Sequence, residues 1–158
     1  MKKTHNGIKY KFFWSGIFSN WYPSEFIIDG ITFNSGEQWM MYQKAKTFND
    51  AIIMDKILNE TNPKIQKQLG RYVNNFDPNI WDDVRYNLVK IGLREKFLQN
   101  EDMLKYLLEH EGYQMVEASP YDRIWGIGFL DKDAIANIND WGENLLGKIL
   151  TELSIELR

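Results

Sequence analysis

The chain has 158 residues, a formal net charge of −3 and no cysteine. This length predicts one domain over residues 1–158, and the lack of cysteine excludes disulfides, thiolate metal sites and a cysteine nucleophile. A pI near 5.4 argues against broad binding to a phosphate backbone, although it leaves room for a local basic pocket. No apolar run approaches the ~20 residues that span a bilayer, and no secretory signal is recognisable. We therefore expect a cytoplasmic protein without a membrane partner.

Aromatic residues make up 15 % of the chain and include six tryptophans. Some of them belong in the core, but a surplus of Trp and Tyr is also what a pocket that stacks a flat heterocycle needs. The surplus alone does not decide between the two.

The predicted strands lie in the first part of the chain. Aromatic and β-branched residues predict strands at Tyr10–Trp14 and Glu25–Ile28. Phe26–Phe33 is a predicted hairpin that turns at Asp29-Gly30. The residues between the two strands, 18–23, form a predicted loop that Pro23 ends. Asn20 in this loop is either a turn former or an amide that faces a ligand.

The stretch after the hairpin predicts a helix with two charged side chains on one face. Ser35 followed by Gln38 is a capping-box pattern, so Ser35 is the predicted N-cap. Glu37 lies in the first turn and Lys44 follows seven residues later, close to two full turns, so both project from the same face. They can form a catalytic pair. An acid in a first turn and a lysine near a helix end are also ordinary consequences of the helix dipole.

Further helices follow, each with a start signal. Asp50, Asn62-Pro63 and Asp77-Pro78 predict helices that end near residues 59–61, Gly70 and Phe97. The longest has a predicted core stripe of Ile80, Val84, Leu88 and Ile91, and Trp81 stands one residue off it as a core or boundary residue. A short amphipathic helix is predicted from Glu101 to Glu109.

The last third combines a strand, a loop and a helix. Tyr113–Ala118 is a predicted strand, and Ser119–Gly128 has no period and breakers at both ends, so it is a predicted loop of the kind that often carries function. Asp140 with Glu143 predicts a capping box for the final helix. Together the elements predict an α+β fold, mainly helical, with a small strand element near the N-terminus.

Several common chemistries lack their motifs. No Gly-rich loop ends in Lys-Ser or Lys-Thr, and Gly126-Ile127-Gly128 lacks the third glycine of a dinucleotide-binding fingerprint. His5 and His110 have no partners at metal-ligand spacing, and no nucleophile elbow is present. We predict neither a metal nor a cofactor. Carboxylate and lysine chemistry in a pocket with aromatic walls remains.

The order of several separated motifs resembles the NADAR family, also called YbiA-like, over nearly the whole chain. The matching motifs in chain order are Phe18-Ser19-Asn20-Trp21, Asp29-Gly30-Ile31-Thr32-Phe33, Ser35-Gly36-Glu37-Gln38-Trp39, Gln43-Lys44, Gly70-Arg71, Trp81, Asp122-Arg123-Ile124-Trp125-Gly126 and Leu146-Gly147. One stretch departs from the family. Many members continue after Trp-Gly with a polar segment, whereas residues 127–130 are apolar here, which bears on the shape of one pocket wall.

The resemblance implies a single compact YbiA-like domain that hydrolyses N-glycosidic bonds to ribose. Members are linked to ADP-ribose on a base, notably on the guanine amino group, and to the phosphorylated ribosylamine intermediates of riboflavin biosynthesis. The link to ADP-ribose implies ADP-ribosylated guanine in DNA, RNA or nucleotides as the substrate. It also implies a cognate ADP-ribosyltransferase as a candidate partner. The rival readings are a module that binds ADP-ribose or a related nucleotide without cleaving it, and a structural protein whose aromatics are only core.

The resemblance also implies roles for particular residues. Glu37 is the expected general acid/base, and Asp122 is expected to hold the ribose or activate water, so these two would have to converge. Lys44 is either a Schiff-base nucleophile, a salt-bridge partner of Glu37 or a phosphate contact. Arg71 binds phosphate or bridges helices. The full set of expected substrate-binding residues is Asn20, Trp21, Arg71, Trp81, Trp125 and Gly126.

Overall fold

The computed structural model describes all of residues 1–158 and begins with a hairpin that the sequence patterns did not predict. Strands β1 (Lys2–His5) and β2 (Ile8–Phe13) pair antiparallel. Asn6 and Gly7 form the turn, with φ of 50° and 78°, which is the backbone that an Asn-Gly pair favours in a two-residue hairpin loop. The hairpin was missed because β1 has no apolar alternation.

A third strand, β5 (Gln114–Glu117), pairs parallel with β2 and gives the sheet order β1-β2-β5. One face of the sheet is buried in a core cluster of Tyr10, Phe12, Val116, Ala118, Ile127 and Ala134. The predicted strands at Tyr10–Trp14 and Tyr113–Ala118 are thus confirmed with slightly shifted bounds.

A second, two-stranded sheet is the predicted hairpin. Strands β3 (Phe26–Ile28) and β4 (Ile31–Phe33) pair antiparallel. Asp29 and Gly30 both have positive φ in the turn, as predicted.

Seven α-helices and one 3₁₀ helix form the rest of the regular structure. They are α1 (Gly36–Thr47), α2 (Ala51–Leu58), α3 (Pro63–Gly70), α4 (Pro78–Leu98), α5 (Glu101–Leu108), α6 (Asp131–Ala134), the 3₁₀ helix Ile135–Asp140 and α7 (Leu145–Glu156). The first four begin where the caps predicted: the side chains of Ser35, Asp50, Asn62 and Asp77 each accept a backbone N–H. The predicted fold class, α+β and mainly helical, is confirmed.

Internal contacts divide the chain into two compact units. The central unit comprises residues 20–101, and the terminal unit comprises residues 1–19 with 102–158. In the central unit α1 packs against α2, α3 and α4, and in the terminal unit α7 packs against β5. The single domain over 1–158 stays a prediction. No helix has both the length and the apolar content that crossing a bilayer requires.

The predicted core stripe of α4 is wrong. Ile80 and Ile91 are 49 % and 51 % exposed. The buried residues of α4 are instead Trp81, Arg85, Val89, Gly92, Leu93, Lys96 and Phe97. The stripe was misplaced by one residue because two of its true members are charged, so a search for apolar periodicity favours the wrong face.

The predicted capping box of the last helix is also wrong. Helix α7 begins at Leu145 and its N-cap is Asn144, which has a left-handed φ of 53° and no side-chain cap. Asp140 ends the 3₁₀ helix, and the backbone N–H of Glu143 donates to Arg123 O at 2.7 Å. The segment before α7 is therefore held by a neighbouring loop and not by a local cap.

Candidate active site

Helix α1 places polar side chains in the interior of the central unit. Glu37, Gln38 and Gln43 are 3 %, 3 % and 6 % exposed. Because burying a polar group costs free energy unless it is hydrogen-bonded, the start of α1 needs a dedicated set of partners.

Gln38 supplies most of these partners. Its Nε2 donates to the carbonyls of Ile57 and Glu60 at 3.0 and 3.2 Å, and its Oε1 accepts the N–H of Asn34 at 2.7 Å. Ser35 Oγ accepts the Gln38 N–H at 3.1 Å, as predicted. The other half of the capping box is not formed, since the Gln38 side chain reaches Asn34 and not the Ser35 N–H. Gln38 thus fixes the helix start to the end of α2.

Glu37 follows directly on this fixed start and is tied to the loop that carries Asn20. Its backbone N–H donates to Asn20 O at 2.9 Å. Asn20 is 6 % exposed, and its Oδ1 has no hydrogen-bond partner. A Cβ on Gly36 would lie 2.6 Å from this oxygen, so any larger residue would displace the Asn20 side chain. A buried acceptor beside Glu37 suits an N–H group of a ligand, and the ligand-facing role of Asn20 stays a prediction.

Lys44 lies two turns further along α1 in a half-buried position. Its Nζ is 4.4 Å from the ring centroid of Phe76, a cation–π geometry. Burial lowers the pKa of Lys44, the positive charge of Arg71 lowers it further, and the negative charge of Glu37 opposes both. The structure therefore brings the predicted pair and Arg71 within electrostatic reach of one another.

Gly70 explains how Arg71 comes to lie near α1. A Cβ on Gly70 would lie 2.1 Å from Sδ of Met41, so the last turn of α3 packs closely against the Met41 side chain of α1. Arg71 follows immediately as an exposed residue. The role of Arg71 as a phosphate contact stays a prediction.

Two expected aromatic residues of the central unit differ in exposure. Trp21 is 43 % exposed, whereas Trp81 is 6 % exposed on the buried face of α4. The burial of Trp81 fits a core residue, and its role in stacking a base stays a prediction.

Two buried cations of α4 were not predicted as site residues. Arg85 is 9 % exposed and its guanidinium pairs with Asp82 at 2.8 Å. Lys96 is fully buried, and burial lowers its pKa to about 7. The only signal for them in the sequence is their spacing from Trp81, which places all three on one helix face.

The remaining expected residues, Asp122, Trp125 and Gly126, belong to the terminal unit. Asp122 Oδ1 accepts the backbone N–H groups of Ile124 and Trp125, both at 2.9 Å. This carboxylate therefore shapes its own loop, a function that the motif did not reveal. A Cβ on Gly126 would lie 2.8 Å from Glu117 O, so the glycine permits a close approach to β5. Catalytic and binding roles for the three stay predictions.

Asn144 holds this loop region and was missed in the sequence. Its Nδ2 donates to Met115 O and its Oδ1 accepts the Glu117 N–H, both at 3.0 Å. Its own N–H donates to Gly126 O at 3.1 Å. One residue thus joins β5, the Asp122 loop and the start of α7, and only its left-handed φ, which Asn tolerates, sets it apart locally.

The geometry defines a class of protein: an α+β protein in which a buried carboxylate, a half-buried amine and a guanidinium gather around one helix. No group of three His, Asp or Glu side chains is placed to hold a metal ion.

Residues 12–158 match the NADAR domain family, and the chain belongs to that family. The resemblance seen in the motifs is thereby confirmed.

Two relatives and one solved structure illustrate the similarity. N-glycosidase R617 of Acanthamoeba polyphaga mimivirus is 45 % identical over 148 residues, which cover 89 % of this chain and 86 % of the relative. Riboflavin biosynthesis protein VVA0006 of Vibrio vulnificus is 29 % identical over 143 residues, which cover 90 % of this chain but 36 % of that protein. The NMR structure of the E. coli protein YbiA matches with a TM-score of 0.77 at 27 % identity, covering 93 % of this chain and 83 % of that one.

These likenesses bear on two predictions. The predicted YbiA-like fold is confirmed by the E. coli structure. The name N-glycosidase, carried by the viral relative, supports the predicted class of enzyme, a hydrolase of N-glycosidic bonds.

Two substitutions near Lys44 should shift its pKa in opposite directions. Arg71→Gln removes a charge that lowers the Lys44 pKa, so the pKa should rise, whereas Glu37→Gln removes a charge that raises it, so the pKa should fall. Since only the neutral amine reacts with an acylating reagent, labelling of Lys44 at a fixed mildly alkaline pH should slow in the first variant and accelerate in the second. Peptide mass spectrometry measures both rates, with exposed Lys148 as the reference within each digest. A shift in the same direction in both variants would contradict the assignment.

Proposed function

We propose that this protein hydrolyses the N-glycosidic bond between ADP-ribose and guanine. The observation that carries the proposal is Glu37, a carboxylate that is 3 % exposed in the first turn of α1 and lies within electrostatic reach of Lys44. An ordinary first-turn acid is solvated, whereas this one is enclosed among the fixed groups of the central unit, as a catalytic carboxylate requires.

The proposed reaction needs one acid, one water and two bond changes. Glu37 protonates the departing nitrogen of the base while the bond from that nitrogen to C1′ of the ribose breaks, and positive charge develops on the sugar ring. Water then adds to C1′ and gives its proton to the Glu37 carboxylate. Free base and ADP-ribose leave, and the proton from water replaces the one that Glu37 gave to the base.

Two further groups of the central unit suit the rest of this substrate. The cations of Lys44 and Arg71 lie close enough for their charges to interact, and two neighbouring cations match the charges of a pyrophosphate. The unpartnered Oδ1 of Asn20 can accept an N–H of the base. Oδ1 of Asp122, which belongs to the terminal unit, is engaged by its own loop, so a role toward the ribose or the water would fall to Oδ2.

A second route uses Lys44 as a nucleophile. The ribosylated amine can open its ring to an imine at C1′, and the neutral amine of Lys44 can then attack this carbon. The bond from C1′ to the guanine nitrogen breaks, a lysine imine forms, and water hydrolyses it to ADP-ribose and free lysine. The lowered pKa of Lys44 favours this route because it increases the neutral fraction.

Two other functions make different predictions for substrate and product. The likeness to the Vibrio protein favours, as an alternative, a phosphorylated ribosylamine of riboflavin biosynthesis as substrate. A module that only binds ADP-ribose would show heat on titration but release no base.

Replacement of the acid tests the main proposal. Glu37→Gln should reduce turnover of an ADP-ribosylated guanine nucleotide roughly 10²- to 10⁴-fold, the usual contribution of a general acid or base, while the melting temperature stays close to that of the wild type. Chromatography of the released guanine nucleotide measures turnover, with the ribosylamine phosphate as a parallel substrate. Glu101→Gln is the matched control, because Glu101 also opens a helix but is exposed. Wild-type turnover in Glu37→Gln would remove the acid/base assignment.

A pair of variants separates the two roles of Asp122. Asp122→Asn keeps an oxygen that accepts the two loop N–H groups but loses the charge, so turnover should fall while thermal stability is retained. Asp122→Ala loses both and should also lower the free energy of unfolding by about 0.5–2 kcal/mol, as the loss of a capping oxygen does. Thermal melts and turnover together make the distinction. Full activity in Asp122→Asn would leave Asp122 with a structural role only.

The Lys44 route predicts a covalent adduct. Borohydride added during turnover should reduce the imine and attach ADP-ribose to the peptide that contains Lys44, as mass spectrometry detects. Lys44→Ala should show no adduct, and Lys46→Ala, which removes an exposed lysine of the same helix, should behave like the wild type. Turnover without any adduct would assign the reaction to direct attack by water.

A further inference from the structure

The C-terminal end of α1 carries an aromatic residue in line with the candidate carboxylate and amine. Phe48 caps this end, four residues after Lys44 and eleven after Glu37. Because eleven residues are close to three full turns, the three positions lie along one face of the helix. At the usual rise per residue, Lys44 and Phe48 follow Glu37 by roughly 10 and 16 Å along the axis. The face therefore runs from a carboxylate through an amine to a ring.

Phe76 extends this face with a second ring. Its centroid is 5.3 Å from that of Phe48, and the two planes meet at 71°, which is an edge-to-face contact. The Nζ atom of Lys44 is 4.4 Å from the centroid of Phe76. The Phe76 side chain is nevertheless 41 % exposed. Part of its aromatic surface is therefore open to a ligand, directly beside the amine.

The segment that carries Phe76 is held on both sides. Before it, the backbone N–H of Asn74 donates to Oδ2 of the buried Asp50 at 2.9 Å. After it, Asp77 is the N-cap of α4. A ring that is positioned in this way loses little further conformational entropy when a ligand stacks on it.

The neighbouring cations indicate which part of a ligand would reach this ring. The charge of Arg71 acts on Lys44, and two neighbouring cations match the charges of a diphosphate. A ligand whose diphosphate meets these cations can place the group beyond the diphosphate against Phe76. In ADP-ribose on guanine, the chemical order is the reacting C1′, the diphosphate and the adenosine. Glu37, the pair of cations and Phe76 follow one another in the same order.

We propose that Phe76 stacks the adenine ring of the substrate, so that the site selects a nucleoside diphosphate over a sugar phosphate. This assignment, which rests on the proposed function, gives the central unit a subsite for a base that takes no part in the reaction. Every base has a π-face, so stacking on an aromatic side chain detects that a base is present and not which base it is. The ribosylamine phosphate has no ring beyond its phosphate and gains nothing from Phe76.

The first test compares binding of ADP with binding of inorganic pyrophosphate, by isothermal titration calorimetry on the full chain. Phe76→Ala should weaken binding of ADP roughly 5- to 100-fold, the usual contribution of one stacked base. The ratio of the Kd for pyrophosphate to the Kd for ADP should fall by the same factor. Effects that Phe76 transmits through Lys44 cancel in this ratio, because Lys44 meets both ligands. Phe76→Tyr keeps the ring and should keep the wild-type ratio.

The controls separate stacking from a loss of structure. Ile80→Ala replaces another exposed apolar residue of the central unit and should leave both affinities unchanged. Thermal melts show that each variant is folded. Phe76→Leu keeps apolar bulk without a π-face, so it serves as the ring-free variant if Phe76→Ala does not fold.

Turnover gives a second readout. With an ADP-ribosylated guanine nucleotide, Phe76→Ala should raise KM by a similar factor and retain kcat, because the ring contacts the substrate away from the bond that breaks. Turnover of the ribosylamine phosphate should not change.

The binding results decide the assignment independently of the reaction. An unchanged ratio of the two dissociation constants in Phe76→Ala would overturn it, since Phe76 would then act only through Lys44. An absence of ADP binding at about 1 mM, the upper end of ordinary Michaelis constants, would also overturn it. Binding of ADP that depends on Phe76, in a chain that releases no guanine nucleotide, would support the subsite and overturn the proposed function.

Discussion

The buried amide network at the start of α1 is the interaction on which the candidate site depends. Gln38 bonds to the carbonyls that end α2, and Gln66 of α3 donates to Glu60 O at 2.6 Å and to Asn34 Oδ1 at 3.2 Å. Removing one partner of such a buried pair leaves an unsatisfied group, at a cost of about 1–3 kcal/mol. The network therefore holds three helices in register around the first turn of α1, and this register determines where Glu37 projects.

What the sequence predicted well is local. The caps at Ser35, Asp50, Asn62 and Asp77 are bonds over two or three residues, so the pattern and the interaction occupy the same short stretch. The features that the sequence patterns missed depend on interactions between residues far apart in the chain. Asn144 bonds to residues almost 30 positions away, and the pairing of β2 with β5 joins residues about 100 positions apart. No window of the sequence contains both partners.

In the candidate site, too, the local features were predicted and others were missed. The shared face of Glu37 and Lys44 follows from helix geometry alone, and the nearness of Arg71 follows from the close packing at Gly70. The buried cations of α4 were missed because apolar periodicity assigns charged residues to the solvent. The loop-shaping role of Asp122 was missed because one carboxylate can cap a turn and bind a substrate, and a motif records the residue without the role.

Gly36 opens α1, and Gly70 and Gly92 pack against it. At all three positions a Cβ would come within 3 Å of a side-chain atom, at Gly92 against the indole of Trp39. Close packing of this kind limits how far α3 and α4 can move against α1. Much of the conformational entropy that a flexible site loses when it closes on a ligand has therefore been lost already during folding. On the proposal that a ligand meets Glu37, Lys44 and Asn20, side chains held in place before binding would leave more of its contact energy available as affinity.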